Sequence, residues 1–327
     1  MKYFITGATG FIGGKLARRL VNEGHTINAL VRDPAKATDL KELGITVFKG
    51  DITDKSSLSE PMAGVDGVYH VAAWYKVGVK DKSMAYSINV NGTRNVLEVM
   101  KEGGIKKGVY TSTLAVNSDT RGKIVNENYR YDGKHLSEYD RTKWLAHHEV
   151  ALPMMKEGLP LVVVMPGLVY GPGDTSAAGE TFKRYLQGKL PVLPTQTAYN
   201  WAHVDDIVEG HILAMEKGRA GEAYMIGGPV HELTEAMMMA EEITGVKAPR
   251  LHLSPAMMKA SAGLMGFLEK FLPIPDLFSG EMLRATAGVT YIGDSSKARR
   301  ELGYDPRPLK EGLSETLGLL KLELGIK

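Results

Sequence analysis

The sequence predicts an α/β fold, a doubly wound parallel sheet followed by a smaller C-terminal α/β lobe. Three observations carry this. Runs of β-branched and apolar residues recur through the first half, bounded by Gly and Pro, with helical stretches between them. A glycine-rich turn joins the first such run to the first helix. Beyond Pro172 the texture changes to helices, short strands and many prolines (Pro191, Pro194, Pro273, Pro275, Pro306, Pro308), with no repeat or long linker.

Tyr3-Phe4-Ile5 is the first strand, and Thr6-Gly7-Ala8-Thr9-Gly10-Phe11-Ile12-Gly13 follows it. Gly7 permits the tight turn, Gly10 lets the backbone approach a pyrophosphate, and Gly13 lets the helix pack closely on the sheet. Phosphate charge would meet the helix N-terminus there, with Thr9, Phe11 and Ile12 beside it. Leu16, Leu20 and Val21 give that helix its apolar face. Strands follow at 26–31, 45–48, 67–71, 107–111 and 161–165, with a long helix before each of the last two. This divides the chain into a dinucleotide-binding domain over 1–172, with strand contributions from later segments, and a mainly substrate-binding lobe over 173–327.

A site for NAD usually places an acid about 20 residues past the glycines, on the ribose 2′-hydroxyl. Val31 occupies that place, Arg32 follows it, and Lys36 is close behind. A guanidinium suits a 2′-phosphate by charge and by forked hydrogen bonding, so NADP(H) is the expected cofactor, with NAD(H) possible. Asp51 and Ile52, after the third strand, would sit beside the adenine.

Tyr139 and Lys143 are one helical turn apart and share a helix face. Tyr185 and Lys189 have the same spacing, so position has to decide between the pairs. Tyr139 lies on the helix after the strand ending Tyr110-Thr111-Ser112-Thr113, whereas Tyr185 belongs to the later lobe. A hydroxyl at that strand end and the Tyr139–Lys143 pair can converge over a nicotinamide. The ammonium is expected to lower the phenol pKa, letting Tyr139 exchange a proton with a substrate oxygen that Thr113 orients.

Composition removes other classes. The 327 residues are 43% hydrophobic with net charge +2 and no cysteine, which excludes disulfides, thiolate metal sites and a Cys nucleophile. Near-neutral charge gives no sign of a nucleic-acid partner. The chain opens on a core strand without a leader, so a cytoplasmic location is expected. No membrane partner is expected either: Lys259, Glu269 and Lys270 interrupt the Met-rich stretch from Met257 to Leu272, which reads as an amphipathic helix over a pocket or interface, or as core packing. His147-His148-Glu149 and His231-Glu232 lack zinc-helix spacing, so no metal is expected. His203, Asp205 and Asp206 read as the cap of a helix in the substrate lobe. No Gly-x-Ser-x-Gly elbow is present, which argues against hydrolysis.

With these pieces in order, the chain resembles the extended short-chain dehydrogenase/reductases over nearly its whole length. Also matching are Asn89-Val90-Asn91-Gly92-Thr93, the run Pro166-Gly167-Leu168-Val169-Tyr170-Gly171-Pro172-Gly173, His203-Val204-Asp205-Asp206 and Lys297-Ala298-Arg299-Arg300-Glu301-Leu302-Gly303-Tyr304. The resemblance implies a Rossmann-type sheet, catalysis by Thr113, Tyr139 and Lys143, and support of the proton relay by Asn89. Ser112 is the neighbouring alternative to Thr113. It further implies that Val71, Ala72, Ala73, Thr111, Pro166, Gly167 and Val169 line the cofactor, and that the chain forms a homodimer through helices near Met84–Met100 and Glu138–Leu152.

Departures within the family select among activities. Leu114-Ala115 stand where sugar dehydratases carry an Asp-Glu pair, Tyr199 stands near where epimerases place an Arg for the substrate pyrophosphate, and Met165 replaces an Arg common in relatives. Val31-Arg32-Asp33-Pro34, His70-Val71-Ala72-Ala73 and Thr111-Ser112-Thr113 look like dihydroflavonol 4-reductase and its bacterial relatives. Trp74, Tyr75, Val77, Met84, Leu114, Val116, Leu168 and Tyr170 could line an apolar pocket or simply pack the core. The expected activity is NADP(H)-dependent reduction of a ketone or aldehyde on a moderately apolar small molecule. The alternatives are an NAD-dependent nucleotide-sugar epimerase and a non-catalytic redox sensor.

Overall fold

The computed structural model describes residues 1–326. The main strands are β1 (Lys2–Thr6), β2 (Thr26–Val31), β3 (Thr46–Lys49), β4 (Gly67–His70), β5 (Gly108–Thr111) and β6 (Leu161–Pro166). Past them come β7 (Leu168–Tyr170), β8 (Leu193–Pro194), β9 (Ala198–His203), β10 (Ala223–Ile226), β11 (Val230–Glu232), β12 (His252–Leu253) and β13 (Thr290–Tyr291). Seven strands form one parallel sheet in the order β10-β6-β5-β4-β1-β2-β3. The direction of winding reverses between β1 and β4, where open α/β sheets bind ligands at the strand carboxyl ends.

Both faces of this sheet are covered, and the side-chain period of two assigns alternate residues to opposite cores. Ile5, Val109, Val162 and Val164 pack with Leu16, Leu20, Ile207 and Ile212. Phe4, Tyr110, Leu161 and Val163 pack with Val96, Leu97, Ala146 and Val150 on the other face. The helices on that second face are long and each carries a π-turn: 83–102 with Ser87–Gly92, and 138–156 with Ala146–Ala151.

The chain crosses between the two parts beyond residue 172. Helix Val204–Lys217 and β10 return to the main sheet, and the helix packs beside Phe11–Asn22 in the first core. His203 does cap this helix, accepting from the Asp205 N–H at 3.4 Å, but the helix belongs to the sheet and not to the substrate lobe as the sequence suggested. The lobe is organised around β9, which pairs with β7, β11 and β13, over a core of Tyr170, Phe182, Tyr185, Trp201, Met237 and Leu313. Tyr185 is buried there with its hydroxyl 2.6 Å from the Val246 carbonyl oxygen, far from the sheet's ligand edge in role and setting.

Candidate active site

The glycines of the first turn are required for different reasons. Gly7 has φ +79°, and a Cβ there would meet the Ala72 nitrogen at 2.8 Å. At Gly13 a Cβ would lie 2.2 Å from the Gly7 carbonyl oxygen, so the helix could not seat on the turn. Gly10 is different: the sole atom near its Cβ position is the Gly7 oxygen at 3.3 Å, so the protein itself leaves room for a side chain. That room lies at the N-terminus of helix Phe11–Asn22, which has no side-chain cap and no acid in its first turn. Unsatisfied N–H groups beside an open backbone suit a pyrophosphate, and the dinucleotide fits on this ground. Thr9 and Gly10 are exposed, and Phe11 and Ile12 half-buried, on the same lip.

Across the switch point, Val71, Ala72 and Ala73 leave β4 half-buried beside Gly7. The Thr6 hydroxyl accepts from the Val71 and Ala72 N–H groups at 3.2 and 3.1 Å. Arg32 is exposed at the end of β2 and makes no ion pair or side-chain hydrogen bond among the described residues. Asp33 instead caps the following turn through the Ala35 N–H at 3.1 Å and lies 3.9 Å from Lys36. Asp51 spends one oxygen on the Thr53 N–H and hydroxyl, leaving the other. The Ile52 side chain is buried against Gly92, so its main chain alone could border an adenine.

Ser137 caps helix Glu138–Leu145 through the Asp140 N–H at 3.0 Å, which fixes Tyr139 and Lys143 at the end of β5. Lys143 is buried, with Nζ donating to the Thr111 carbonyl at 2.8 Å and to the Tyr110 hydroxyl at 3.1 Å. Burial lowers its pKa to about 7. Tyr139 is pushed the other way, to about 12, by burial, against which a hydrogen bond with the Thr113 hydroxyl acts. The expected lowering of the phenol by the ammonium is therefore corrected: Lys143 is turned onto the β5 backbone and does not set the Tyr139 value. A phenol at that value is a weak acid, protonated at neutral pH, and gives its proton only to an oxygen more basic than itself, such as a developing alkoxide.

Thr113 also accepts from the Ala115 N–H at 3.1 Å, capping the turn Leu114–Asn117. Ser112 points elsewhere, with its hydroxyl 2.8 Å from Nδ1 of buried His147. The Thr111 hydroxyl is likewise engaged by His211 at 2.8 Å, so its carbonyl is the group that serves the site. Asn89 is held between the loop after β4 and helix Glu138–Leu145. Its amide donates to the Trp74 carbonyl and the Thr142 hydroxyl, each at 2.9 Å, and accepts from the Trp74 N–H at 2.8 Å. Those bonds fasten the loop after β4 to helix Glu138–Leu145, and none goes directly to Tyr139 or Lys143.

Pro166 ends β6 in the sheet, and a Cβ on Gly167 would lie 2.2 Å from the Asn200 carbonyl oxygen, so β7 and β9 cross closely there. Val169 is half-buried against the first core. Of the residues considered for an apolar pocket, Leu114, Val116 and Tyr170 are core. Trp74, Tyr75 and Val77 remain on the loop after β4. Sequence reasoning missed Glu281, a buried carboxylate that accepts from the Gly78 N–H at 2.8 Å and the Glu138 N–H at 2.9 Å and pairs with Lys82 at 2.9 Å. It also missed Tyr110 beneath Lys143. His203, Asp205 and Glu315 converge, but Lys15 lies 3.1 Å from Asp205 and Arg307 lies 3.0 Å from Glu315, supplying the countercharge.

Residues 3–227 match the NAD dependent epimerase/dehydratase family. A Synechocystis protein provisionally named a dihydroflavonol 4-reductase is 31% identical, the match covering 96% of this chain and 93% of that one. A 4-hydroxy-2-methyl-3-oxo-4-farnesyl-3,4-dihydroquinoline-1-oxide ketoreductase of Stigmatella aurantiaca is 30% identical over 94% of this chain and 92% of its own. The fold superposes on UDP-glucose 4-epimerase from Thermotoga maritima with a TM-score of 0.78 at 22% identity, covering 99% of this chain and 100% of that one. The chain belongs to the NAD-dependent epimerase/dehydratase family of extended short-chain dehydrogenase/reductases.

Proposed function

We propose that the protein is an NADP(H)-dependent reductase of a ketone or aldehyde on a moderately apolar small molecule. What supports this is the arrangement at the carboxyl end of β5, where Thr113 leaves the strand and buried Lys143, one helical turn from Tyr139, bonds the Thr111 carbonyl. The glycine turn would hold the dinucleotide, whose nicotinamide would supply the hydride. Thr113 donates to the carbonyl oxygen and Tyr139 gives it a proton. Lys143, with one N–H not spent on Thr111 or Tyr110, would hold ribose hydroxyls. Arg32, free of internal partners, supports a 2′-phosphate.

The named relatives favour reduction: one bears the name of a reductase and another that of a ketoreductase whose substrate carries a farnesyl chain. An epimerase reading has less support, because Tyr199 is a half-buried phenol stacked on Tyr291 at 5.9 Å and Met165 is core. Neither supplies charge to a sugar-nucleotide pyrophosphate. The test is titration with NADPH and NADH, followed by nicotinamide absorbance with a panel of aromatic and aliphatic ketones and aldehydes. Tighter NADPH binding with substrate-dependent oxidation is expected. Copurifying NAD with no net oxidation would overturn the reading in favour of an epimerase, and binding without any turnover in favour of a sensor.

A further inference from the structure

Helix Pro255–Leu268 and the turn after it present their large side chains outward. Met258, Ala262 and Gly266, four residues apart, face the protein: the first two are buried, and a Cβ on Gly280 would lie 2.8 Å from the Gly266 Cα. Met257, Leu264, Phe267 and Phe271 form the opposite stripe and are 52%, 57%, 58% and 71% exposed. The Phe267 and Phe271 rings pair at 5.3 Å, and Leu272 extends the patch. A helix that closes a core places large residues inward and small or polar ones outward, the reverse of this arrangement. Core packing, one of the two readings of this stretch from sequence, therefore does not describe it. Contiguous exposed apolar surface marks an interaction site.

Charge selects the occupant. Lys259 and Lys270 on this segment are exposed and make no ion pair among the described residues. The one acid between 255 and 272 is Glu269, whose carboxylate accepts from the Gly280 N–H at 3.0 Å. A second copy of the chain docked face to face would set these cations against their own counterparts. A surface of anionic headgroups complements them.

We propose that this face docks the protein on anionic lipid bilayers, with the paired phenyl rings in the headgroup boundary and Lys259 and Lys270 against lipid phosphates. The attachment is peripheral, since no helix among the described residues is long and apolar enough to cross a membrane. It departs from the sequence-based expectation of no membrane partner, and it stands whether or not the reductase reading holds. The docking face also communicates with the site: helix Gly280–Ala285, on which it packs, carries Glu281 to the N-terminus of the catalytic helix and to the loop after β4.

The test is sedimentation of the full chain with phosphatidylcholine vesicles, with and without phosphatidylglycerol, at low and high salt. Binding is expected with phosphatidylglycerol alone, weakened by salt. Phe267→Glu combined with Phe271→Glu should abolish it, with the thermal melt unchanged because both rings are exposed. Lys259→Gln and Lys270→Gln should each cost roughly fivefold in partitioning. Absence of binding to either vesicle, binding indifferent to phosphatidylglycerol, or retention by the Phe variant would each overturn the proposal. Conversion of a dimer to a monomer by the Phe variant, without vesicle binding by the parent, would assign the face to a second copy instead.

Discussion

The Tyr110 hydroxyl lies 3.1 Å from Nζ of Lys143, directly beneath the ammonium, with the Tyr110 ring centroid 4.7 Å away. The Tyr110 ring stacks on the His70 ring at 5.4 Å; His70 Nε2 is 3.0 Å from the Thr93 hydroxyl and His70 Nδ1 is 2.8 Å from the Thr6 hydroxyl. Because Thr6 already accepts two N–H groups, its proton goes to Nδ1, and Nε2–H donates to Thr93. Buried contacts thus run from Lys143 through the Tyr110 and His70 rings to Thr6, at the turn that carries the glycines. His70 is held neutral, its pKa lowered to about 3 by burial.

Tyr110→Phe is expected to remove one acceptor from the ammonium while preserving shape. The Lys143 value, about 7 in the parent, should fall, since the charged form loses a bond and burial and the nearby His70 and His147 rings offer no compensating charge. The limb of the kcat/KM profile that reports Lys143 should therefore move to lower pH, with the thermal melt nearly unchanged. An unmoved limb with lost stability would make Tyr110 merely a core residue.

Lys143→Met is expected to abolish turnover and raise stability. The unfolded lysine keeps 10.5 while the folded one titrates at about 7. Between those values the unfolded chain binds the extra proton, so this group's contribution improves as pH rises from 7 toward 10.5 and is at its worst below 7. Removing it loses two hydrogen bonds, about 1 kcal/mol each, against a larger desolvation cost. Melts at pH 7 should rise by about 1–2 °C, a net of about 1 kcal/mol, with the gain shrinking at alkaline pH. A lower melting temperature at pH 7 would show the two bonds to outweigh the buried charge.

The parallel sheet was readable because its strands are mostly apolar runs whose alternate residues face two cores. β10 was not singled out, since Ala223–Ile226 is four residues long and lies far along the chain from its partner β6. Thr113 over Ser112 could be chosen by alignment to a motif, and the separate engagement of Ser112 by His147 gives that choice a physical reason. Glu281 could not be read, because its partners Gly78 and Glu138 are 203 and 143 residues away and nothing local marks a carboxylate as buried. Leu114, Val116 and Tyr170 failed as pocket residues for the opposite reason: an apolar side chain near a site is the same letter whether it faces ligand or core.

Thr113 and Ser112 should separate in kinetics. Thr113→Ala is expected to lower kcat about a hundredfold by removing a donor to the reacting oxygen, with Thr113→Ser restoring most of it. Ser112→Ala should leave kcat within about threefold yet cost about 1–2 kcal/mol of stability, because His147 loses its buried partner. Steady-state rates with a responsive carbonyl, set beside denaturant melts, check both. A reversed pattern would exchange their roles.

Arg32→Ala should raise the NADPH dissociation constant about tenfold to a hundredfold and leave NADH within about twofold, the worth of charged hydrogen bonds to a phosphate. Lys36→Ala should do less, since Asp33 lies 3.9 Å from that ammonium. Fluorescence titration of both cofactors measures the difference. Equal losses would remove the 2′-phosphate from Arg32.

Gly10 and Gly13 offer the sharpest separation of binding from folding. An alanine inside a helix ordinarily gains about 1 kcal/mol over glycine. At Gly13 that gain is overwhelmed, because the new Cβ would lie 2.2 Å from the Gly7 oxygen and the turn must shift backbone to admit it. Gly13→Ala should therefore lose both stability and dinucleotide binding. Gly10→Ala meets one oxygen at 3.3 Å and should melt within about 2 °C of the parent, yet bind dinucleotide at least about tenfold more weakly, since the methyl takes the space a pyrophosphate needs. Calorimetric melts and cofactor titration on the same two preparations decide it: undiminished binding by Gly10→Ala would move the pyrophosphate off this turn.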